Sequence, residues 1–237
     1  MKVRSAILLL LGGSQGLIGW WMVKSGLQPK PDYQSRHRVS TYRLIVHNSM
    51  ACSLYYYLLF MAFRVGQPLR TMPINFDMSG INSTRRFAIL MIHFVALNLL
   101  SGVATAGIDA GKVFNSWPTM NGVFMPSTYW KPELGYRNLF ENMACVQFNH
   151  RVLAYSTFIA AYVALKVTWA KVLPINIRVA LFIMFGLVNY QAFLGVVMLM
   201  QQVPVKKGVQ HQANGLLILS TVVYLLAATR KRGFIFK

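Results

Sequence analysis

The chain has 237 residues, of which 55% are hydrophobic and only 12% are charged, and its formal net charge is +19. A soluble domain carries about 25% charged residues, so this composition excludes an ordinary water-soluble enzyme and a disordered segment. Two cysteines are too few for a small disulfide scaffold. The basic residues stand between long apolar stretches, as they do on the flanks of membrane-spanning helices. We therefore predict an integral protein of the lipid bilayer, with no nucleic-acid partner.

Six apolar stretches are long enough to cross roughly 30 Å of hydrocarbon as α-helices. They are Ser5–Val23, Leu44–Phe63, Phe87–Ile108, Val146–Leu165, Val179–Val203 and Gly208–Thr229. Apolar residues occupy every face of these stretches, which indicates helices surrounded by lipid and by one another. The predicted fold is an all-α membrane protein with six transmembrane helices.

An even number of spans places both termini on the same side of the membrane. That side receives 13 of the 24 lysines and arginines, and the other side receives 11. Because basic residues accumulate on the cytoplasmic or matrix side, the small excess predicts termini on that side. The long aromatic connection at 109–145 then faces the opposite compartment.

Spans one and five share a pattern, glutamine followed by glycine four positions later and methionine three positions after that. It occurs at Gln15, Gly19 and Met22 and again at Gln191, Gly195 and Met198. Each copy is followed by a span with a histidine near its start. Spans three to six therefore form a complete four-helix unit, residues 87–237. Residues 1–86 are predicted to be half of a second, repeated bundle.

Four of the five histidines lie inside the spans, where an ionisable side chain is costly and therefore a functional candidate. His47, His150 and His211 each stand near the start of an even-numbered span, whereas His93 lies near the middle of span three. The fifth, His37, lies in a basic loop and is read as a solvated residue. The three histidines near span starts share one depth, which separates them from His93.

No Asp, Glu or Cys is in register with these histidines inside the spans, which argues against a zinc or copper site. A haem needs only two axial imidazoles between apolar walls. His150 and His211, on spans four and six of the complete unit, are therefore predicted to ligate haem iron. Arg151, Lys206 and Lys207 lie on the same side and could pair with the propionates.

Five segments of the chain resemble the haem A synthase family of cytochrome c oxidase assembly proteins, in its mitochondrial and alphaproteobacterial form. They are Gly16–Leu27, Val39–His47, Ser101–Pro118, Phe140–Arg151 and Gln191–His211. The resemblance implies an eight-helix protein of two similar halves, each with a histidine pair. One half holds haem b, and the other oxidises a methyl group of haem O to formyl, giving haem A.

Carried onto this sequence, the resemblance assigns His150 and His211 to the haem b pair and His47 to haem ligation in the substrate half. The partner of His47, with a glutamate three residues before it, would lie on two helices preceding Met1. Three residues before His150 the chain has Gln147 instead of a glutamate. No catalytic residue is assigned, and this chain alone is not expected to convert haem O.

The resemblance also implies a location and partners. The location is the mitochondrial inner membrane, or the inner membrane of a bacterium, and the partners are a ferredoxin-type electron donor and a haem O synthase. The sequence leaves open whether the chain forms a homo-oligomer. Two other functions stay open on the sequence: a non-catalytic bis-histidine haem protein for assembly or electron transfer, and a haem-free protein whose histidines bond neighbouring helices.

The predicted topology can be tested by protease protection. Because the basic residues hold the termini in the matrix, protease added to intact mitoplasts should cut the 109–145 connection and spare a C-terminal tag. Detergent-permeabilised mitoplasts, in which both sites are accessible, are the control, and immunoblotting reads the fragments. A tag that is lost while the connection survives would reverse the topology.

Overall fold

The structure is a computed structural model that describes residues 2–27, 38–66 and 76–230, so His37 lies outside the described residues. The described residues form seven α-helices. These are α1 (Lys2–Lys24), α2 (Thr41–Gly66), α3 (Met78–Gly107), α4 (Asn138–Glu141), α5 (Met143–Thr168), α6 (Ile175–Met200) and α7 (Val205–Ala228). All except α4 are long and apolar enough to cross a membrane. The prediction of an all-α membrane protein with six transmembrane helices is confirmed.

The helices that carry His47, His150 and His211 each begin three residues before the apolar stretch that predicted them. The added turn is polar at 41–43 in α2 and basic at 205–207 in α7, so a search for apolar residues leaves it out. His47 and His211 are therefore the seventh residues of their helices and His150 is the eighth. At a rise of about 1.5 Å per residue, each histidine lies roughly two turns inside its helix.

Asp77 sets the start of α3, well before the apolar stretch that begins at Phe87. One of its carboxylate oxygens accepts hydrogen bonds from the backbone N–H groups of Ser79 (2.8 Å) and Gly80 (3.3 Å). The other oxygen lies 3.4 Å from the Lys171 ammonium. Hydrogen bonding from Ser79, and then from the backbone and Lys171, lowers the pKa of Asp77. The charged cap therefore stabilises α3 at neutral pH, and this contribution is lost as the pH falls through the lowered pKa.

By packing, the chain divides into two compact units. The first contains Met1–Tyr55, Asn98–Val152 and Val196–Pro204, and the second contains Tyr56–Leu97, Leu153–Gly195 and Val205–Lys237. The division at residue 86 predicted from the sequence concerns the internal repeat rather than packing. It stays a prediction.

In the first unit, buried amides order the connection between α3 and α5. Asn142, which is 5% exposed, donates to the carbonyl oxygens of Thr128 (2.8 Å) and Tyr129 (3.1 Å). Its own side-chain oxygen accepts from the backbone N–H of Ala144 at 3.0 Å, so Asn142 is also the N-cap of α5. Buried Asn138 donates to further carbonyls of the connection. One pair of amides thus joins the connection to the helix that carries His150.

In the second unit, the core lies between α5, α6 and α7. The buried residues of α5 in this unit are small, whereas those of α6 and α7 mainly have larger apolar side chains. They include Ala160, Ala161 and Ala164 of α5, Leu181, Met184 and Val188 of α6, and Ile218, Val222 and Val223 of α7. Alternation of small and large residues lets helices approach closely in a bilayer, where dispersion contacts drive association.

Replacing Asn142 by Ala should destabilise the protein by about 2 kcal/mol, because it removes a helix cap and leaves buried carbonyls unsatisfied. Unfolding in a graded SDS titration, followed by tryptophan fluorescence, measures the change. Asn176→Ala is the matched control, since that asparagine is exposed and should alter stability by less than about 0.5 kcal/mol. Equal effects of the two substitutions would contradict the assignment of Asn142.

Candidate functional site

His47, His150 and His211 share one mode of packing, in which each imidazole lies against a glycine of the preceding membrane-spanning helix. A Cβ atom built on that glycine would lie 3.0 Å from Cε1 of His47 (at Gly19), 3.4 Å from Cε1 of His150 (at Gly102) and 3.2 Å from Cε1 of His211 (at Gly195). A methyl group at Gly19 or Gly195 would require the ring to shift by a few tenths of an ångström, whereas at Gly102 it would just reach ordinary van der Waals contact. Glycine is therefore what allows each imidazole to pack directly on the neighbouring backbone.

The glycines extend the internal repeat to a third copy. Gln15 and Gln191 stand four residues before Gly19 and Gly195, as the sequence pattern indicates. In α3 the corresponding pair is Asn98 and Gly102, with an asparagine in place of the glutamine. A search for the glutamine misses this copy, but an amide four residues before a glycine finds all three.

Ser101 fixes the imidazole of His150. The Ser101 hydroxyl donates to the carbonyl oxygen of Asn98 at 3.1 Å and lies 2.7 Å from Nδ1 of His150. With the hydroxyl proton directed to Asn98, the serine oxygen can accept from the Nδ1–H of His150, and we infer this direction for the bond. This hydrogen bond selects the tautomer with its lone pair on Nε2, the form in which a histidine commonly ligates a metal.

The surroundings of His47 differ, because an amide contacts the ring. The Gln15 side-chain nitrogen lies 3.4 Å from Nε2 of His47 and donates to the His47 carbonyl oxygen at 3.2 Å. Nδ1 of His47 and the side-chain oxygen of Gln15 are both buried, and neither has a hydrogen-bond partner among the described residues. Such orphaned buried atoms are costly.

In the α6–α7 pair, Gln191 corresponds to Gln15, but its side chain is hydrogen-bonded to Asn214. The side-chain nitrogen of Asn214 donates to the side-chain oxygen of Gln191 at 2.7 Å and to the carbonyl oxygen of Leu187 at 3.0 Å. Asn214 is only 4% exposed. The α6–α7 pair therefore has a fixed polar clamp beside its glycine–histidine contact.

Basic residues stand one turn before two of the histidines, Arg43 before His47 and Lys207 before His211. Arg43 donates to the carbonyl oxygen of Trp21 at 2.8 Å, and its guanidinium lies 4.6 Å from the centre of the Trp21 ring. Lys207 is half-buried and on the same face of α7 as His211. The sequence did identify Lys207, but not its counterpart Arg43.

Arg151, predicted to face a propionate, anchors the α3–α5 connection. Its two terminal guanidinium nitrogens donate to the carbonyl oxygens of Phe114 (2.9 Å), Ser116 (3.0 Å) and Thr119 (3.2 Å). Gln147, one turn earlier, donates to the carbonyl oxygen of Ala110 at 3.0 Å, and its own side-chain oxygen is buried without a partner in the described part of the chain. Both residues bind the connection to α5.

Two carboxylates of this connection, Asp109 and Glu141, form ion pairs. Asp109 pairs with Arg38 and with Lys112, whose ammonium lies 3.2 Å away. Glu141 pairs with Arg137 and accepts a hydrogen bond from Tyr42. The hydrogen bond from Arg137, followed by that from Tyr42, lowers the pKa of Glu141.

His93 differs from the other three histidines in the spans. Its side chain is exposed, and its Nδ1 is 2.7 Å from the carbonyl oxygen of Ile89, one turn earlier in the same helix. The sequence predicts that His93 differs from the other three histidines, because it lies near the middle of span three. Its contact with its own helix, in place of a glycine on a neighbouring helix, agrees with this prediction.

The residues present fit a haem better than a bare metal ion. Among the described residues no three His, Cys, Asp or Glu side chains come together as a metal-binding group. Single imidazoles on separate helices, each on a glycine cradle, form the donor set that haem iron takes. The buried orphan atoms beside His47 likewise indicate a missing binding partner.

Fold and site together define a multi-pass, all-α membrane protein with a repeated glycine–histidine pair on successive helices. The family model described as cytochrome oxidase assembly protein matches residues 1–223. The chain belongs to this family.

Individual relatives agree with that assignment. The chain is 37% identical to the heme A synthase COX15 of Arabidopsis thaliana over 98% of its own length and 50% of the relative's. It is 34% identical to a heme A synthase of Brucella anthropi, over 97% of the chain and 61% of the relative. A heme A synthase of Caulobacter sp. is 36% identical over 92% of the chain and 60% of the relative. The chain thus spans about half to three-fifths of these relatives.

The resemblance to the haem A synthase family, a haem-binding family, is therefore confirmed. With plant and bacterial relatives and six apolar helices, the chain is a multi-pass inner-membrane protein, mitochondrial or bacterial. No solved structure matches the chain.

The glycine cradle can be tested in α6, which offers a matched control. Gly195→Ala should displace the imidazole of His211 and lower haem affinity roughly tenfold, as loss of a supporting contact around a ligand does. Gly186→Ala, on the same helix with no atom within 4 Å of the new Cβ, should leave haem binding unchanged and stabilise α6 by about 0.5–1 kcal/mol. Haem titration by absorbance gives the affinity of each variant. Equal haem affinities of the two variants would contradict the role of Gly195 in positioning His211.

Proposed function

We propose that this chain takes part in haem A biosynthesis, in which the methyl group of haem O is oxidised to formyl for cytochrome c oxidase assembly. The observation that carries the proposal is the glycine-packed histidine, which occurs three times, at the seventh or eighth residue of its helix. The relatives over which these helices align are named heme A synthases. The proposed protein is accordingly an oxidoreductase.

The cofactor assigned in this proposal is haem b, ligated by His150 and His211. Ser101 holds His150 in the tautomer with its lone pair on Nε2, and the clamp of Asn214 and Gln191 borders His211. Lys207 would pair with a propionate one turn from His211. When bound, the haem would supply one-electron redox chemistry.

His47 is assigned to the substrate, haem O. Arg43, one turn before it, would face a propionate of that haem, held in place by its bond to the Trp21 carbonyl. Asp77, Asp109 and Glu141 pair with cations outside the membrane-spanning helices or at their ends, so none of these three is proposed to move protons beside His47. A ferredoxin-type electron donor and a haem O synthase complete the proposed set of partners.

The alternative, a non-catalytic haem protein for assembly or electron transfer, is not favoured. The family model covers residues 1–223, and the named relatives are enzymes throughout. A haem-free protein is not favoured either, because the relatives that align over these helices are named heme A synthases.

Substitution of single histidines tests the cofactor assignment. The purified chain should bind one low-spin haem b, and either His150→Ala or His211→Ala should abolish the bis-imidazole spectrum because one axial ligand is lost. His93→Ala is the control and should leave the spectrum intact, since His93 bonds its own helix. If the two ligand variants retain the full spectrum, the assignment of haem b to this pair is wrong.

The substrate assignment is tested in cells that lack haem A synthase. The chain is extended by two upstream helices that carry a Glu-x-x-His motif. In this extended form, His47→Ala should accumulate haem O and make little haem A compared with the same form that keeps His47, although the haem b spectrum stays normal. Extracted haems separated by chromatography give the ratio. Normal haem A production by this variant would contradict the role of His47.

A further inference from the structure

The α1–α2 and α6–α7 pairs are copies of one another that differ beside the histidine. Both have a glutamine, a glycine four residues later and a histidine packed on that glycine. Three residues after the histidine, α7 has Asn214 and α2 has Met50. Methionine has no side-chain N–H to donate, so the glutamine of the first pair lacks the clamp that the second pair has.

The released glutamine contacts the histidine itself. The Gln15 amide nitrogen lies 3.4 Å from Nε2 of His47 and 3.2 Å from the carbonyl oxygen of the same residue. Because an amide nitrogen can only donate, Nε2 is the acceptor and the ring proton resides on Nδ1. The nitrogen that would ligate iron is therefore the nitrogen that Gln15 occupies.

This arrangement leaves the buried side-chain oxygen of Gln15 without a hydrogen-bond partner among the described residues. In the α6–α7 pair the corresponding glutamine oxygen accepts from Asn214 at 2.7 Å. The contact of Gln15 with His47 is thus made at the expense of other hydrogen bonds. Such a contact can be displaced by a ligand of moderate affinity.

We propose that Gln15 is a positioning residue that competes with haem iron for Nε2 of His47 and so keeps haem ligation at His47 reversible. The inference rests on the proposed function, in which His47 takes the substrate and His211 takes a resident cofactor. A substrate must enter and its product must leave, whereas a cofactor remains bound. The α6–α7 pair has Asn214, which is hydrogen-bonded to Gln191, whereas the α1–α2 pair has Met50, which leaves Gln15 in contact with His47.

The test uses the full chain in lipid nanodiscs, with haem b as the probe. In a background carrying both His150→Ala and His211→Ala, the haem held by His47 is measured by absorbance titration. Gln15→Leu should tighten this binding roughly 2- to 10-fold, the equivalent of one ordinary hydrogen bond that haem no longer has to displace. Met50→Asn should do the same while retaining Gln15, because the new asparagine can hold it. Met50→Leu is the control and should change nothing.

The opposite pair supplies a second control. In a His47→Ala background, Gln191→Leu should not tighten haem binding, because Gln191 is already bonded to Asn214. A readout without haem is the ¹⁵N resonance of the His47 ring, which should move in Gln15→Leu and Met50→Asn but not in Met50→Leu.

The outcomes separate this inference from the function on which it rests. Haem binding at His47 that is unchanged or weakened by both Gln15→Leu and Met50→Asn overturns the role of Gln15 and leaves the proposed function standing. Equal tightening by Gln15→Leu and Gln191→Leu overturns it as well. If no haem binding depends on His47, both the substrate assignment and this inference are overturned.

Discussion

The contact between an imidazole and the backbone of a glycine is the constraint on which the candidate site depends. In a bilayer an uncharged imidazole on an apolar helix needs a partner, and packing on glycine fixes the ring without a second polar group. The distances of 3.0–3.4 Å from a built Cβ allow almost no tolerance. The glycine therefore sets where the ring lies, and the neighbouring amide or hydroxyl sets which nitrogen holds the lone pair. Position and tautomer are controlled by different residues.

Around this constraint, the remaining polar side chains serve one connection. Asn142, Gln147 and Arg151 all lie on or next to the first two turns of α5, and each bonds to carbonyl groups between α3 and α5. The helix that carries His150 is thereby fixed at its beginning by residues on both sides of the histidine. Asp109 and Glu141 of the same region pair with nearby cations. These two ion pairs lie outside the membrane-spanning helices, where water can solvate them.

The sequence predicts the spans and the histidines well, because both depend on single-residue properties such as hydropathy and ionisation. Helix starts are three residues off in α2, α5 and α7; in α2 and α7 the reason is a polar or basic first turn that precedes the apolar pattern. Ser101 and Asn214 could not be found in this way, since their role depends on which side chain lies opposite them in space. Arg151 has the charge and the location expected of a residue that pairs with a propionate. Its hydrogen bonds instead go to carbonyl groups of the α3–α5 connection, an irregular segment that hydrophobic periodicity cannot predict. The pairing of His150 with His211 and the division at residue 86 stay predictions.

The three glycine–histidine contacts are separated by very unequal lengths of chain. Gly195 and His211 are joined by the shortest stretch, across the tight turn between α6 and α7, whereas Gly102 and His150 enclose a stretch three times as long. Loop-closure entropy grows with the logarithm of length, so the longer closure costs roughly 1 kcal/mol more. The asparagines that order the α3–α5 connection offset that entropy by fixing the connection in advance. Their contribution therefore belongs to the kinetics of assembly as much as to the finished fold, and the α6–α7 hairpin is the element that can form its contact with the least help.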